Sequence, residues 1–373
     1  MIIGFDAKRA FHNRRGLGNY SRDVIRLLST YFSENKYVLF NPSKKNTVDF
    51  VMPSESCEEV FPTNLMGKLL PSLWRSRGML KQFPKHNIAV YHGLSQELPW
   101  GIQKAGVKTV VTMHDAIFMR YPELYSKNYR HIFIKKNQFA CDYADRIIAI
   151  SEQTKRDIIT YFNADESKID VVYQGCNTIF RQPISDVQKE QVRAKYNLPE
   201  QFILTVGAIE RRKNAEVIIE SLHRSKSTMP FVLVGAPTAY KKMLEALIET
   251  YNMQNQVFFL HSVETSELPV IYALAKLFVF PSLFEGFGIP ILEALSVGTP
   301  VIASEGSCFD EVGGPSTCYV NPTDSDAWAI AIERVMSDEK LQHKMRADGL
   351  LFAENFSDAK VANNLMNVYK KFV

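Results

Sequence analysis

Residues 281–295 read Pro-Ser-Leu-Phe-Glu285-Gly-Phe-Gly-Ile-Pro-Ile-Leu-Glu293-Ala-Leu and set two carboxylates eight positions apart around a Gly-Phe-Gly turn. The apolar run at 277–280 precedes them as a short strand. Pro290 suits the first turn of a helix, where its missing N–H costs nothing. The loop therefore lies beyond the carboxyl end of a strand, the edge at which parallel α/β sheets bind ligands. Gly286 and Gly288 carry no Cβ, so the amides of Gly286, Phe287 and Gly288 can approach a ligand closely. Glu293, read as lying in the first helical turn, points back to that loop and can accept two hydroxyl hydrogen bonds, as a ribose diol requires. A first-turn glutamate also serves the helix dipole, but the company of the whole segment favours the ligand.

Outward from this segment, short apolar runs alternate with longer helical patterns along all 373 residues, the signature of α/β architecture with parallel sheets. Strands are expected at 1–6, 37–41, 88–92, 107–113, 146–150 and 169–172, and again at 202–206, 231–234, 257–261, 277–280, 300–303 and 318–320. The length suits two domains, and the boundary is placed near Pro183, giving 1–182 and 183–357. A last amphipathic helix, 358–373, shows Val361, Leu365, Val368, Tyr369 and Phe372 at helical spacing and must pack on something already built.

Three further segments place chemistry at strand ends. Ile203-Leu-Thr-Val-Gly207-Ala-Ile-Glu-Arg-Arg212-Lys213-Asn214 is a strand, a glycine turn and a basic cluster before a helix. Free N–H groups and cationic side chains there suit an anion such as a leaving diphosphate, or else form an ordinary basic surface loop. Lys108-Thr-Val-Val-Thr-Met-His114-Asp115 ends a strand in a histidine that can donate to a sugar hydroxyl or stabilise developing charge, or be purely structural. Arg14-Arg-Gly16-Leu-Gly18-Asn-Tyr-Ser21 reads as a glycine loop opening a helix. Ser21 stands at the third glycine of a dinucleotide fingerprint, which sets a nicotinamide dehydrogenase aside.

Other classes are excluded by composition and spacing. With 46% hydrophobic and 23% charged residues the chain is globular, and no apolar run is long enough to span a bilayer. The start, Met1-Ile-Ile-Gly-Phe-Asp6, reads as a strand rather than a secretory signal, so a cytoplasmic protein is expected. Five cysteines without a Cys-x-x-Cys pair argue against a disulfide framework or zinc site, and His12, His86, His92, His131, His223, His261 and His343 lack metal-ligand spacing. Asp324-Ser-Asp326 has a metal-binding form, but it precedes a helical run and is read as a cap. No metal is expected.

Charge divides unevenly: residues 1–177 hold 25 Lys and Arg against 17 Asp and Glu, a net +8, while 178–373 carry −4. No acidic residue falls between Glu59 and Glu97, where Lys68, Arg75, Arg77, Lys81 and Lys85 mix with Leu65, Met66, Leu69, Leu70, Leu73 and Trp74. Residues 64–85 thus suit peripheral contact with an anionic membrane, or a solvated helix face over a core. Without a stacking or groove-reading motif, nucleic acid is not expected as a partner.

Together these segments resemble a retaining glycosyltransferase of family 4, which has the GT-B fold. The resemblance rests on Glu285-x7-Glu293, Phe280-Pro-Ser, Gly298-Thr-Pro-Val-Ile-Ala303 and Gly207…Glu210-Arg-Arg-Lys-Asn214, and runs from the Gly16–Gly18 loop to Phe356-Ser357. It implies two Rossmann-like α/β domains facing across a cleft, acceptor side first and donor side second, with the last helix returning to the first domain. By resemblance, Arg212 and Lys213 hold the diphosphate of a nucleoside-diphosphate sugar and Glu293 the ribose. Glu285 with Gly286, Phe287 and Gly288 holds the donor sugar, and the backbone near Val263 the base. His114 sits by the anomeric carbon, and Gly16 and Gly18 close over the diphosphate or the acceptor. The family often has proline where this chain has Arg211, and commonly Pro-Asn-Gly-Val-Asp where this chain has Val172-Tyr-Gln-Gly-Cys-Asn177.

The implied reaction is metal-independent transfer of a hexose, with GDP-mannose or a UDP-hexose as donor, to a saccharide or lipid-linked saccharide in cell-surface polysaccharide biosynthesis. No cofactor is implied, because the nucleotide-sugar is itself a substrate. The alternatives are a nucleotide-sugar epimerase of the same fold and a non-catalytic nucleotide-sugar-binding partner.

Overall fold

The computed structural model describes residues 1–372, so residue 373 of the expected last helix lies outside the described residues. The chain forms two compact units, Met1–Gln174 with the closing segment from Ser357, and Gly175–Phe356. The first holds strands β1 (Ile2–Asp6), β2 (Lys36–Phe40), β3 (Cys57–Val60), β4 (Val90–Gly93), β5 (Lys108–Met113), β6 (Arg146–Ala149) and β7 (Ile169–Val171). The second holds β8 (Ile203–Val206), β9 (Phe231–Val234), β10 (Val257–Leu260), β11 (Leu277–Phe280), β12 (Val301–Ser304) and β13 (Cys318–Val320).

Every pairing between these strands is parallel, in the orders β3-β2-β1-β4-β5-β6-β7 and β10-β9-β8-β11-β12-β13. Parallel strands covered by helices on both faces need apolar residues throughout, and Phe-Val-Leu-Val in β9 and Leu-Phe-Val-Phe in β11 are buried at every position. In each sheet the order reverses beside the first strand, between β1 and β4 and between β8 and β11. Loops leaving the two strands there diverge and open a crevice at their carboxyl ends.

The closing helix Asp358–Lys370 lies on the helix Gly16–Tyr31 of the first unit, as the resemblance implies. Val361, Leu365, Met366, Val368 and Tyr369 are buried, and Arg26 pairs with Asp358 at 2.7 Å.

The units part between Gln174 and Gly175, eight residues before the expected boundary. The intervening turn Thr178–Arg181 belongs to the second unit because Phe180 is buried edge-on to Tyr272, with ring centroids 5.7 Å apart, and Arg181 donates to the Phe356 carbonyl at 2.9 Å. β3 escapes the apolar pattern because it is an edge strand, Cys-Glu-Glu-Val, with only its last residue buried. Gly16 and Gly18 are not in a loop: both lie in the first turn of Gly16–Tyr31. A Cβ on Gly18 would stand 1.8 Å from the Asn13 carbonyl oxygen, so close backbone packing is what requires glycine there.

Candidate functional site

In the second unit the crevice between β8 and β11 gathers a group of ion pairs. The chain leaves β8 through Gly207, at φ +148°, and forms a short 3-10 turn, Arg211–Lys213, that delivers two cations side by side. Lys213 Nζ lies 2.5 Å from Glu285 Oε1, and Arg212 Nη1 lies 2.6 Å from Glu285 Oε2. Arg212 also donates to the Phe284 carbonyl at 2.6 Å and pairs with Glu210 at 2.7 Å. Burial pushes the Glu285 carboxyl up, but Lys213 and Arg212 outweigh it and hold it down at about 2, so it is ionised at neutral pH. Arg211 is exposed, which leaves Arg212 as the arginine that faces the Glu285 loop.

Asn214 fixes this turn from behind. Its Nδ2 donates to the Pro281 carbonyl at 3.1 Å and to the Pro322 carbonyl at 2.7 Å, tying the loops after β8, β11 and β13 together. The Glu285 loop is braced by two residues that sequence reasoning passed over. Ser307 Oγ accepts from the Glu285 N–H at 3.2 Å and donates to its carbonyl at 3.0 Å, while the Cys308 thiol donates to the Phe287 carbonyl at 3.0 Å. Burial pushes the Cys308 thiol well above its usual range, so it stays protonated and able to donate. Gly288, at φ +103°, turns the chain into the helix Ile289–Ser296, and Phe287 is buried edge-on to Phe356.

Glu293 is the fifth residue of that helix, one position past the first turn in which it was expected, so it does not serve as a first-turn dipole partner. Burial raises its carboxyl to about 7, against opposing effects of the Tyr272 hydroxyl, which donates to Oε2 at 2.8 Å, and of Lys213. Near neutrality it therefore exchanges between a carboxylate and an acid. Tyr272 carried no signal in the sequence. Val263 follows the edge strand β10, next to Ser262 at φ +59°. Asp324 is a helix cap: its Oδ1 accepts from the Ala327 N–H at 2.9 Å, and Asp326 pairs with Arg224 at 3.1 Å.

A family model described as Glycosyl transferases group 1 matches residues 188–350, and one described as Glycosyltransferase Family 4 matches residues 46–180. The chain is a glycosyltransferase. It is 27% identical over 372 residues to O-antigen chain mannosyltransferase B of Escherichia coli, covering 95% of this chain and 96% of that one. It is 31% identical over 227 residues to O-antigen chain mannosyltransferase RfbU of Salmonella typhimurium, 60% of each chain. The structure of HepE from Anabaena in complex with UDP has the same GT-B fold, with a TM-score of 0.75 over 99% of both chains at 16% identity.

The glycosyltransferase's first unit places His114 just after β5, buried, with Nε2 2.9 Å from the Leu94 carbonyl and its ring edge-on to Tyr20. A carbonyl only accepts, so Nε2 carries the proton and Nδ1 is left as an acceptor. Burial lowers its pKa to about 4, with Arg9 adding to the effect against the Leu94 hydrogen bond. The ring is therefore neutral at pH 7, and its N–H is donated to Leu94. A buried relay leads to the closing helix, from Tyr20 through Thr112 (2.9 Å) and His92 (2.8 Å) to the Tyr369 hydroxyl (2.6 Å).

Of the basic stretch 64–85, Arg75 turns inward rather than to solvent. It pairs with Asp6 at 2.5 Å and Glu97 at 2.7 Å, and Lys136 adds to Glu97 at 3.1 Å. Lys68, Arg77, Lys81 and Lys85 are exposed, as are Leu65, Met66, Leu69, Leu70 and Leu73, whereas Trp74 is buried. No helix among the described residues is long and apolar enough to cross a membrane.

Proposed function

We propose that this glycosyltransferase moves a mannosyl group from GDP-mannose, with retention of configuration and without a metal, to a saccharide or lipid-linked saccharide acceptor in O-antigen-type polysaccharide assembly. The observation that carries the reading is the convergence of Arg212 and Lys213 on Glu285 at the crevice between β8 and β11. Mannose and the O-antigen setting are taken from the mannosyltransferase relatives.

In this reading Glu285 is an aiming device. It keeps two flexible cations side by side, and each retains further N–H donors for the diphosphate oxygens. As the bond between the donor C1 and its phosphate oxygen breaks, negative charge grows on the diphosphate, and Arg212 and Lys213 stabilise it where it forms. The acceptor oxygen bonds to C1 on the face the diphosphate leaves, and its proton passes to the departing phosphate oxygen. No side chain is the nucleophile. Glu293 as a carboxylate accepts the two ribose hydroxyls, the backbone near Val263 meets the base, and the amides of Gly286, Phe287 and Gly288 line the donor sugar. In the first unit, His114 Nδ1 accepts from a sugar hydroxyl. Positive charge from the protein takes the place of a metal. The exposed Leu65–Leu73 patch, among four exposed lysines and arginines, supports peripheral contact with anionic lipid.

A thermal-shift panel of GDP, UDP, ADP, dTDP and CDP, with and without EDTA, tests the donor site. A ligand held only by the native state adds about 2.7 kcal/mol at a hundredfold excess over Kd. A GDP-selective shift insensitive to EDTA is expected. No shift with any diphosphate at millimolar concentration overturns the donor reading, and activity lost on chelation overturns the metal-free mechanism. Vesicle sedimentation should show binding to anionic lipid that falls with salt, and equal partition at low and high salt removes the membrane contact.

A further inference from the structure

The first unit contains a cavity of about 270 Å³ at the carboxyl ends of β1 and β4, its own topological switch point, to which the donor chemistry assigns no role. One wall is the ion chain of Asp6, Arg75, Glu97 and Lys136, in which every carboxylate already has a cation. Two more cations, Lys8 and Arg9, line the same cavity, and no ion pair is formed by either among the described residues. Arg9 Nε is buried with no hydrogen-bond partner. Burial and the neighbouring guanidiniums of Arg75 and Arg9 hold the Lys8 ammonium below its usual range, outweighing the opposing pull of Asp6 and Glu97.

The remaining walls are not those of a bare anion site. Trp100 and Phe133 bring aromatic rings to its lining, and since Phe133 is already stacked on Tyr129 at 4.1 Å, Trp100 is the ring left for a sugar to pack against. Ser72 and Arg75 line it from the helix Pro71–Ser76, and Leu73 of that helix is 45% exposed, so the cavity lies beside the exposed apolar patch that begins at Leu65. Its volume, just under the ~300–1,000 Å³ of ordinary small-molecule sites, admits one sugar with its phosphate and not an oligosaccharide.

We propose that this cavity binds a sugar phosphate, the phosphate on Lys8 and Arg9 and the ring against Trp100, as the anchoring unit of a phosphate-linked acceptor. The proposal rests on the glycosyltransferase reading for the word acceptor, but its site lies in the other unit from the donor crevice. A soluble sugar phosphate and a lipid-borne one share this chemistry.

Titration calorimetry with glucose 1-phosphate, glucose, inorganic phosphate and a farnesyl diphosphate-linked glucose tests it, with GDP and UDP run in parallel. Glucose 1-phosphate should bind at least tenfold more tightly than glucose or inorganic phosphate. Tighter binding of the farnesyl compound assigns the site to a lipid-borne acceptor, and equal binding assigns it to a soluble one. Lys8→Ala should weaken sugar phosphate binding at least tenfold, Lys8→Arg should restore most of it, and nucleotide binding should be unchanged in both. Lys8→Ala binding as tightly as the wild type, inorganic phosphate binding as tightly as the sugar phosphate, or full displacement of the sugar phosphate by GDP each overturns the proposal. Sugar phosphate binding that depends on Lys8 in a protein that binds no nucleotide would instead overturn the donor reading and leave this site standing.

Discussion

The two switch points of this glycosyltransferase carry ion chains of the same connectivity, built in opposite ways. In the first unit the chain runs Asp6–Arg75–Glu97–Lys136, and in the second Glu210–Arg212–Glu285–Lys213: carboxylate, arginine, carboxylate, lysine in both. The first is collected from four distant places, with partners 69, 22 and 39 residues apart. The second takes three members from one turn of four residues, and only Glu285 comes from afar, 72 residues beyond Lys213, to meet both Lys213 and Arg212. A cluster gathered from afar ties elements together, and Arg75, 11% exposed between two carboxylates, holds a helix to the ends of β1 and β4. One that sits on a single turn can yield to a ligand without unfastening the sheet. The same topology offers both units a charged crevice, and loop origin decides whether its first duty is structure or binding.

Removing one cation from each chain separates the two duties. Arg75→Ala leaves Asp6 and Glu97 buried without their shared partner, and the expected cost is about 3–5 kcal/mol of stability, read by urea unfolding. If Arg75→Ala unfolds within 1 kcal/mol of wild type, the first chain is not structural and the contrast collapses. Lys213→Ala should do the reverse. Stability should change little beside a fall of roughly 100- to 1,000-fold in kcat, the usual toll for losing a donor aimed at developing charge, and nucleoside diphosphate binding should weaken. Turnover near the wild-type rate would mean that Arg212 alone carries the leaving group.

A smaller effect lies within the donor crevice, where two glutamates eight residues apart titrate in separate ranges. Glu285 is held at about 2 and stays ionised, while Glu293 is raised to about 7. A carboxyl raised on folding binds more protons in the native state, so its contribution to stability falls as pH rises from about 4.5 through 7. The ribose diol needs the ionised form. Nucleotide affinity should therefore climb with pH by up to about tenfold per unit below 7 and level off above it. Tyr272→Phe removes a hydrogen bond that favours the carboxylate and should move the inflection upward, whereas Glu293→Gln should flatten the profile. A profile flat between pH 5 and 8 in the wild type would remove Glu293 from the diol.

What was legible in the sequence follows the same divide. Glu210 to Lys213 are consecutive and Glu285 and Glu293 are spaced within one loop and helix, so pattern picked out each segment, and the family resemblance joined the two. The Asp6, Arg75, Glu97 and Lys136 chain has no local trace, and Arg75 read as one more cation in a basic stretch because the partners that turn it inward lie in other elements. Gly16 and Gly18 looked like a loop because glycine is rare in helices, yet close packing on Asn13 is what calls for Gly18. The depth of Glu293 in its helix was misjudged by one residue, since Pro290 occupies the second helical position and leaves the start of the helix undetermined by sequence. Strand order, which places β8 beside β11, is a property of long-range pairing that no single segment announces.

The smallest expected effect concerns a carboxylate near the donor crevice that does not take part. Asp324 has the look of a metal ligand, but its Oδ1 caps the helix Ser325–Ser337 through the Ala327 N–H. Asp324→Ala should cost about 1 kcal/mol, the ordinary value of an N-cap. The turn it starts from is not remote: Pro322 accepts from Asn214, and Asn214 adjoins Lys213. Fraying of the cap could reach the cations only by loosening that hydrogen bond, so a change in kcat of less than about threefold, well below 1 kcal/mol, is expected. A large loss of turnover at unchanged melting temperature would put Asp324 in the chemistry as a charge rather than a cap, and the second switch point would then need a carboxylate that its ion chain does not contain.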